Sequence, residues 1–470
     1  MSFYNELSRF KKNTAVIDEN GTELTYEELE KFSKKVGEIV PKRSFAFLYC
    51  ENIAGSLCCY VSCLYNSIAV VLVSNSIDDG LNEGLIENYK PSYLFAPSNR
   101  KINIKGYVSV YEEYGFCLFE AEEKINTPLY DGLAVLLTTS GSTGSPKLVK
   151  QSYENVQSNT EAIAQYLELD ETERPITTLP MNYTYGLSII NSHLEVGATI
   201  LMTTKSIFQK EFWEFFKENK ATSFGGVPYT YEMLKKLRFF RMELPSLRTM
   251  TQAGGKLTPE LHREFAEYAA QKGKKFIVMY GQTEATARMA YLPYEKSLEK
   301  YGSMGIAIPG GKFELIDVDG KIIDSPETVG ELVYYGKNVT LGYAENREDL
   351  IKGDERGGKL ITGDMAKRDG DGYYYIVGRK KRFLKVFGNR VNLDECERII
   401  KSEFKGLECV CGGYDDNLCV YATDDSKKDE ILKFISHKTG IHPSAFTLLK
   451  IDEIPKSESG KVLYNKLPKL

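Results

Sequence analysis

The chain switches repeatedly between short apolar runs and longer amphipathic ones, and this alternation limits the folds open to it. "SFAFLYC", "AVVLV", "YLFAP" and "GLAVLL" are short and bounded by polar residues, so they read as strands. Helix-like segments lie between them. "TYEELEKFSKKVGEIV" has helical spacing, with Thr25 placed to cap it and Glu28 three residues on to reach back. "AGSLCCYVSCLYNSIAVVLV" is the most apolar stretch, and it reads as a buried helix leading into a strand. Ser152 can cap "YENVQSNTEAIAQYL", "KEFWEFFKENK" runs as a helix into "TSFGGV", and "KKFIVMYG" is another buried strand. Such alternation implies α/β layers. From about residue 300 the texture turns to β: "KFELIDVDGKII" alternates around an Asp319-Gly320 turn, followed by "GELVYYG" and "DGDGYYYIVGRKKRFLKVFGNRV". After these, Asn392 can cap "NLDECERIIKSEF", with Glu395 in capping-box position, and the remainder reads strand, strand, helix, strand. At 470 residues the chain exceeds one core. The expected architecture is a large α/β N-terminal domain, residues 1–380, of layered sheets and helices with a β-rich portion. A small mobile α+β C-terminal domain would occupy residues 381–470.

Composition narrows the function classes. The net charge of −5 comes from acidic and basic residues mixed along the whole chain, which gives no footprint for nucleic acid or a membrane surface. The start, "MSFYNELSRFKKNTAVIDENG", lacks the apolar core of a signal peptide. No uninterrupted apolar run approaches the roughly 18–20 residues that span a bilayer, so membrane insertion is not expected. The nine cysteines are odd in number and scattered, and none of the four histidines neighbours a cysteine pair. That pattern fits a reduced, cytoplasmic protein better than a disulfide framework or a Cys/His metal site.

The segment "TTSGSTGSPKLVK", Thr138 to Lys150, leaves the apolar run "GLAVLL" with almost nothing to pack. It lacks the GK[ST] that opens the helix of a Walker A loop, and it lacks GxGxxG. It does offer a turn whose hydroxyls and amides at Thr139, Ser140, Gly141, Ser142, Thr143 and Gly144 can wrap phosphate oxygens, with Lys147 as counter-charge. This segment resembles the phosphate loop of the acyl-adenylate-forming enzymes: acyl- and aryl-CoA synthetases, peptide-synthetase adenylation domains and luciferases. Later segments of the chain repeat the likeness in the superfamily's order. "LPMNYTYGL" is similar to its acyl-pocket wall, and "AGGKL" with "YGQTEA" to its adenine-binding segments. The "TGD" of "LITGDMAKRDGDGYYYIVGRKKR" resembles the ribose-binding segment and hinge, and "PKSESGKV" the loop of the terminal catalytic lysine. Leu148 stands where glycine is usual.

The resemblance implies a two-step reaction. A carboxylic acid attacks the α-phosphorus of ATP to give an acyl-adenylate and pyrophosphate, and a thiol then displaces AMP. It assigns Glu284 as the Mg2+ ligand, Thr283 as a phosphate contact, and Lys461 as the catalytic lysine that meets the charge building between carboxylate and α-phosphate. It places Gly254, Gly255, Tyr280, Gly281 and Gln282 around adenine, and Asp364 with Arg379 on the ribose diol. Lys381 takes the hinge position, about which rotation would exchange the Lys461 face of the small domain for the face carrying "KVFGNRV". Tyr464 stands where the family often has arginine.

Tyr183, Gly186 and Arg288 fall on the acyl pocket by the same resemblance. Tyr183 replaces a frequent histidine and cannot serve as a near-neutral acid–base group without a large pKa shift. "MNYTYGLS" offers no carboxylate to hold a substrate ammonium, which argues against an α-amino acid. The thiol would be coenzyme A, or the phosphopantetheine of a carrier protein acting in trans, because the chain carries no carrier signature of its own. Arg288 is the outlier: a permanent cation where related pockets are apolar. It would turn outward, pair with a structural carboxylate, or meet a second polar or anionic group on the acid.

Overall fold

The structure is a computed structural model that describes residues 2–100, 106–125, 128–138, 147–387, 389–456 and 462–468. The described chain forms two compact units, Met1–Lys312 with Tyr334–Leu360, and Phe313–Val333 with Ile361–Leu470.

In the first unit, two sheets account for the sequence alternation. One has eight described strands in the order Gly342–Ala344, Leu148–Ser152, Leu133–Thr138, Ala69–Ser74, Phe45–Cys50, Tyr93–Pro97, Phe116–Ala121 and Tyr107–Glu113. Its centre is parallel, and every residue of Phe45–Cys50 is buried. Burial of both faces is why these strands read as unbroken apolar runs. Ala46 and Leu48 face one core, and Phe45, Phe47 and Tyr49 face another. The other sheet has nine described strands, with Lys275–Tyr280, Thr249–Gln252, Ser223–Gly226 and Pro175–Ile176 parallel at its heart. The apolar stretch forms the helix Ala54–Tyr65, buried at all but its last residue in a core shared with strands of both sheets. Its polar side chains are satisfied locally: the Ser62 hydroxyl donates to the Cys58 carbonyl at 2.7 Å. No helix among the described residues is long and apolar enough to cross a membrane.

The second unit holds most of a four-stranded sheet, Lys312–Ile316, Gly330–Tyr335, Lys359–Arg368 and Tyr374–Arg379. It also contains the hairpin Phe383–Val386/Asn389–Asn392, the helices Leu393–Glu403 and Lys428–Thr439, and a three-stranded sheet, Cys409–Tyr414, Asn417–Ala422 and Phe446–Lys450. The strand–strand–helix–strand ending matches the expected order. All nine cysteines are free thiols, eight of them buried.

Caps form where the sequence puts them. Thr25–Glu28 makes a full capping box, and Ser152 makes one with Asn155. Asn392 also caps its helix, but Glu395 does not reach back, because Arg398 takes its carboxylate with Nε at 2.8 Å. Between Thr138 and the helix capped by Ser152, Leu148–Ser152 forms a strand that pairs antiparallel with Leu133–Thr138. The "DGDGYYYIVGRKKRFLKVFGNRV" run forms two separate pairings. Its first half pairs with Lys359–Arg368 and its second half folds on itself.

Candidate active site

The densest set of candidate residues lies where the strand Lys275–Tyr280 ends. Tyr280 closes the strand, and Gln282 Nε2 donates to its hydroxyl at 3.2 Å. Gly281 then passes so close to the returning chain that an added Cβ would sit 1.6 Å from the Ala287 carbonyl oxygen. Only glycine fits that approach. Thr283–Ala285 forms a single 3-10 turn, followed by two non-glycine residues at positive φ, Thr286 at 62° and Ala287 at 153°. Such backbone is costly unless its surroundings impose it. Here they do: Thr184 Oγ1 donates to the Thr286 carbonyl at 3.1 Å, and Thr286 Oγ1 to the Asn338 carbonyl at 2.7 Å.

Glu284 projects from this rigid turn. Its carbonyl accepts from the Thr340 amide at 3.1 Å, the Thr340 hydroxyl at 3.0 Å and Arg356 Nη1 at 3.1 Å. Its carboxylate Oε1 accepts from the Tyr343 hydroxyl at 2.7 Å. Tyr343, Thr340 and Arg356 escaped the sequence reading because they lie 56 to 72 residues away with no local signal. Burial, with the Glu284 charge adding, pushes the Tyr343 phenol up to about 12, so it stays a donor. Among the described residues no group of three or more His, Cys, Asp or Glu could enclose a metal ion. One braced carboxylate suits Mg2+, which keeps waters and nucleotide phosphates as its other ligands.

The acyl-pocket candidate Tyr183 meets the adenine-segment candidate Gly254 just past the end of the strand Thr249–Gln252. Gly254 has φ +80°, and an added Cβ there would lie 2.6 Å from the Tyr183 hydroxyl oxygen, so the phenol packs directly over Gly254. An added Cβ at Gly255 would meet Pro228. Tyr183 precedes the helix Thr184–Glu195, which carries Tyr185 and the buried Gly186. Burial pushes the Tyr183 phenol up to about 12, which removes it from acid–base work near neutrality.

Arg288 neither turns outward nor pairs with a carboxylate. It is 2% exposed, and among the described residues it forms no ion pair. Nε donates to Ser188 Oγ at 3.1 Å, Nη1 to Tyr166 Oη at 3.1 Å and to Met279 Sδ at 3.2 Å, and the guanidinium carbon lies 5.1 Å from the Tyr185 ring centroid.

Thr139 to Gly144 and Lys461 lie outside the described residues. Lys147 is described, exposed and paired with Glu345. In the second unit, Asp364 and Arg379 occupy partnered positions on adjacent strands, with Arg379 Nε 3.5 Å from Asp364 Oδ1. Asp364 sits in the middle of the strand Lys359–Arg368, beside a register shift and just after Gly363 at φ +70°. Lys381 is exposed between two anchored cations. Lys380 Nζ reaches Glu331 at 2.8 Å, while Arg382 Nε reaches Asp394 at 2.8 Å and Arg382 also holds Glu397.

The sequence pattern of the AMP-binding enzyme family matches residues 3–344. The chain belongs to that family. Similar curated proteins include a 2-succinylbenzoate–CoA ligase of Geobacillus sp. (strain WCH70), 25% identical over 97% of this chain and 94% of that protein. An oxalate–CoA ligase of Arabidopsis thaliana is 28% identical over 73% of this chain and 68% of the relative. The fold is that of the O-succinylbenzoate coenzyme A synthetase from Bacillus subtilis solved with AMP. That match has a TM-score of 0.80 and 22% identity, and it covers 100% of this chain and 98% of the other. The expectation of an ATP-dependent, acid-activating enzyme therefore agrees with the family and with the activities of its relatives.

Proposed function

We propose that the protein is an AMP-forming acid–coenzyme A ligase for a non-amino carboxylic acid. Membership of the AMP-binding enzyme family across residues 3–344 carries this reading. The braced Glu284 turn supports it with a specific chemistry, and the CoA-ligase names of the relatives favour coenzyme A over a carrier protein.

In the first half-reaction two anions approach, so the protein's task is positioning and charge neutralisation. Bound Mg2+, held by Glu284, would offset charge on the phosphates of ATP. Tyr343 keeps that carboxylate aimed through its hydroxyl hydrogen bond. Tyr280 and Gln282 flank adenine, Gly254 and Gly255 let the main chain approach the ring and the acid, and Thr283 bonds phosphate. The hydroxyls and amides of Thr139–Gly144, with Lys147, wrap the remaining phosphate oxygens; Lys147 would exchange its exposed pairing with Glu345 for the nucleotide. The Asp364 carboxylate accepts the ribose hydroxyl hydrogens beside Arg379. Lys461 meets the negative charge between the acid oxygen and the α-phosphorus. In the second half-reaction the thiol sulfur attacks the acyl carbon and AMP leaves with the C–O bonding pair. Lys381, exposed between two pinned neighbours, is the pivot that brings the second face of the 381–470 domain into use.

The test is carboxylate-dependent ATP–pyrophosphate exchange over a panel of fatty, aryl, hydroxy, dicarboxylic and amino acids with Mg2+. Exchange with at least one non-amino acid is expected. Silence across the panel, from folded protein, would sink the reading.

A further inference from the structure

Arg288 is among the largest fully buried side chains, and among the described residues its side chain has only neutral partners. The Ser188 hydroxyl donates its hydrogen to the Tyr185 carbonyl at 2.7 Å, which leaves a lone pair for Arg288 Nε. Tyr166, which receives Nη1, is held by stacking on Tyr291 at 4.2 Å between ring centroids. The main chain of Arg288 is fixed as well: its carbonyl accepts from Asn159 Nδ2 at 2.8 Å and from Asn338 Nδ2 at 3.1 Å. The remaining nitrogen, Nη2, is buried and has no hydrogen-bond partner among the described residues.

A guanidinium carries donors and no acceptor, and burying it without an anion costs several kcal/mol. A chain gains nothing from a rigid frame around an uncompensated charge unless something supplies the anion. The location says what that is. Arg288 follows Glu284 in the same braced turn, and its guanidinium faces Tyr185, two residues past Tyr183 on the helix that walls the acid pocket. The charge also reaches His193, whose ring burial pushes down to about 4 with the Arg288 cation adding, so that histidine stays neutral and leaves Arg288 as the cation of this layer.

We propose that Arg288 is a specificity residue: its free Nη2 receives a second, anionic oxygen group of the acid, distal to the carboxylate that is adenylated. This rests on the reading of the protein as an acid-activating ligase. The substrate class is then a short acid bearing a second carboxylate, and a plain alkyl acid of equal length is a poor substrate because it leaves the buried cation unpaired.

The experiment uses matched acids, butyrate with succinate, valerate with glutarate and hexanoate with adipate, in ATP–pyrophosphate exchange by the full chain. Wild type should favour the diacid of at least one pair, and that diacid should also raise the melting temperature more than its partner at equal ionic strength. Arg288→Met should lower kcat/KM for that diacid by roughly 30-fold or more while raising it for the monoacid; Arg288→Lys should fall between. If wild type prefers the monoacid in every pair, the inference is overturned while the ligase reading stands. An equal shift of both acids in Arg288→Met overturns it in the same way. If no acid on this or the wider panel supports exchange, both fall together. The wild-type preference and melting shift need no variant, so a misfolded Arg288→Met leaves the inference open to refutation.

Discussion

Two largely covered arginines, one in each unit, make opposite use of the same side chain. Arg382, in the second unit, is surrounded by anions and acceptors. Nε meets Asp394 at 2.8 Å, Nη1 meets the Cys411 carbonyl at 2.6 Å, Nη2 meets Glu397, and the Tyr464 ring lies 3.9 Å beneath the guanidinium. Arg288, in the first unit, has a hydroxyl, a phenol, a thioether and one empty nitrogen. A saturated cation joins structural elements: Arg382 ties the residue after Lys381 to the helix Leu393–Glu403 and to Tyr464, near the chain's end. Arg288 instead leaves Nη2 buried and without a hydrogen-bond partner among the described residues, the position the proposed second anionic group would fill. In the second unit the exposed Lys381, the proposed pivot, thus lies between two anchored cations, while in the first Arg288 keeps one nitrogen without a partner among the described residues.

The sharpest way to separate the two regions is through the half-reactions. Lys461→Ala should reduce adenylate formation on the order of 10²- to 10³-fold or more, since it removes a charge partner of the transition state. Acylation of coenzyme A from supplied acyl-adenylate should survive. Lys381→Pro, which restricts the pivot's backbone, should do the reverse. Equal loss of both steps in each variant would erase the division.

A second test compares the arginines by stability. Arg382→Met strands Asp394 and Glu397 and should cost about 3–5 kcal/mol. Arg288→Met removes an uncompensated charge from an apolar layer and should cost little or even raise the melting temperature. Calorimetry of both variants checks the contrast, and a similar large loss at both sites would mean that Arg288 is as structural as Arg382.

The smallest expected effect is on pH. His193 and His262 in the first unit are both held neutral, their pKa values pushed down to about 4 by burial. The Gly302 amide donates to His262 Nδ1 at 3.1 Å, and His193 Nδ1 donates to the Ile189 carbonyl at 2.8 Å. Unfolded, these rings protonate below about pH 6.5, while folded they resist until about pH 4. The stability they contribute is therefore complete above pH 6.5 and is lost as pH falls toward 4, on the order of 1–3 kcal/mol for each. Melting temperature followed from pH 7 to 4 should fall, and fall less in His193→Gln. A flat profile would mean that neither ring is held neutral.

What was legible in the sequence was local. Capping residues sit within three positions of the groups they satisfy, so Thr25, Ser152 and Asn392 could be read directly. Buried strands announce themselves by unbroken apolar runs. The adenylate-forming motifs could be read in order because each is a contiguous stretch of the sequence. What escaped was assembled from afar. Tyr343 braces Glu284 across 59 positions, and the partners of Arg288 come from two helices and a neighbouring strand. The competition of Arg398 for Glu395 could not be foreseen either, because both pairings satisfy the same short spacing and only side-chain geometry decides between them.

The most direct test of the account is product analysis of one incubation of wild-type protein with ATP, Mg2+, coenzyme A and the acid that supports exchange. The account predicts AMP, pyrophosphate and acyl-CoA thioester in equal amounts, with none formed when the acid is omitted. ADP and orthophosphate in their place, or nucleotide cleavage that proceeds without the acid, would contradict it.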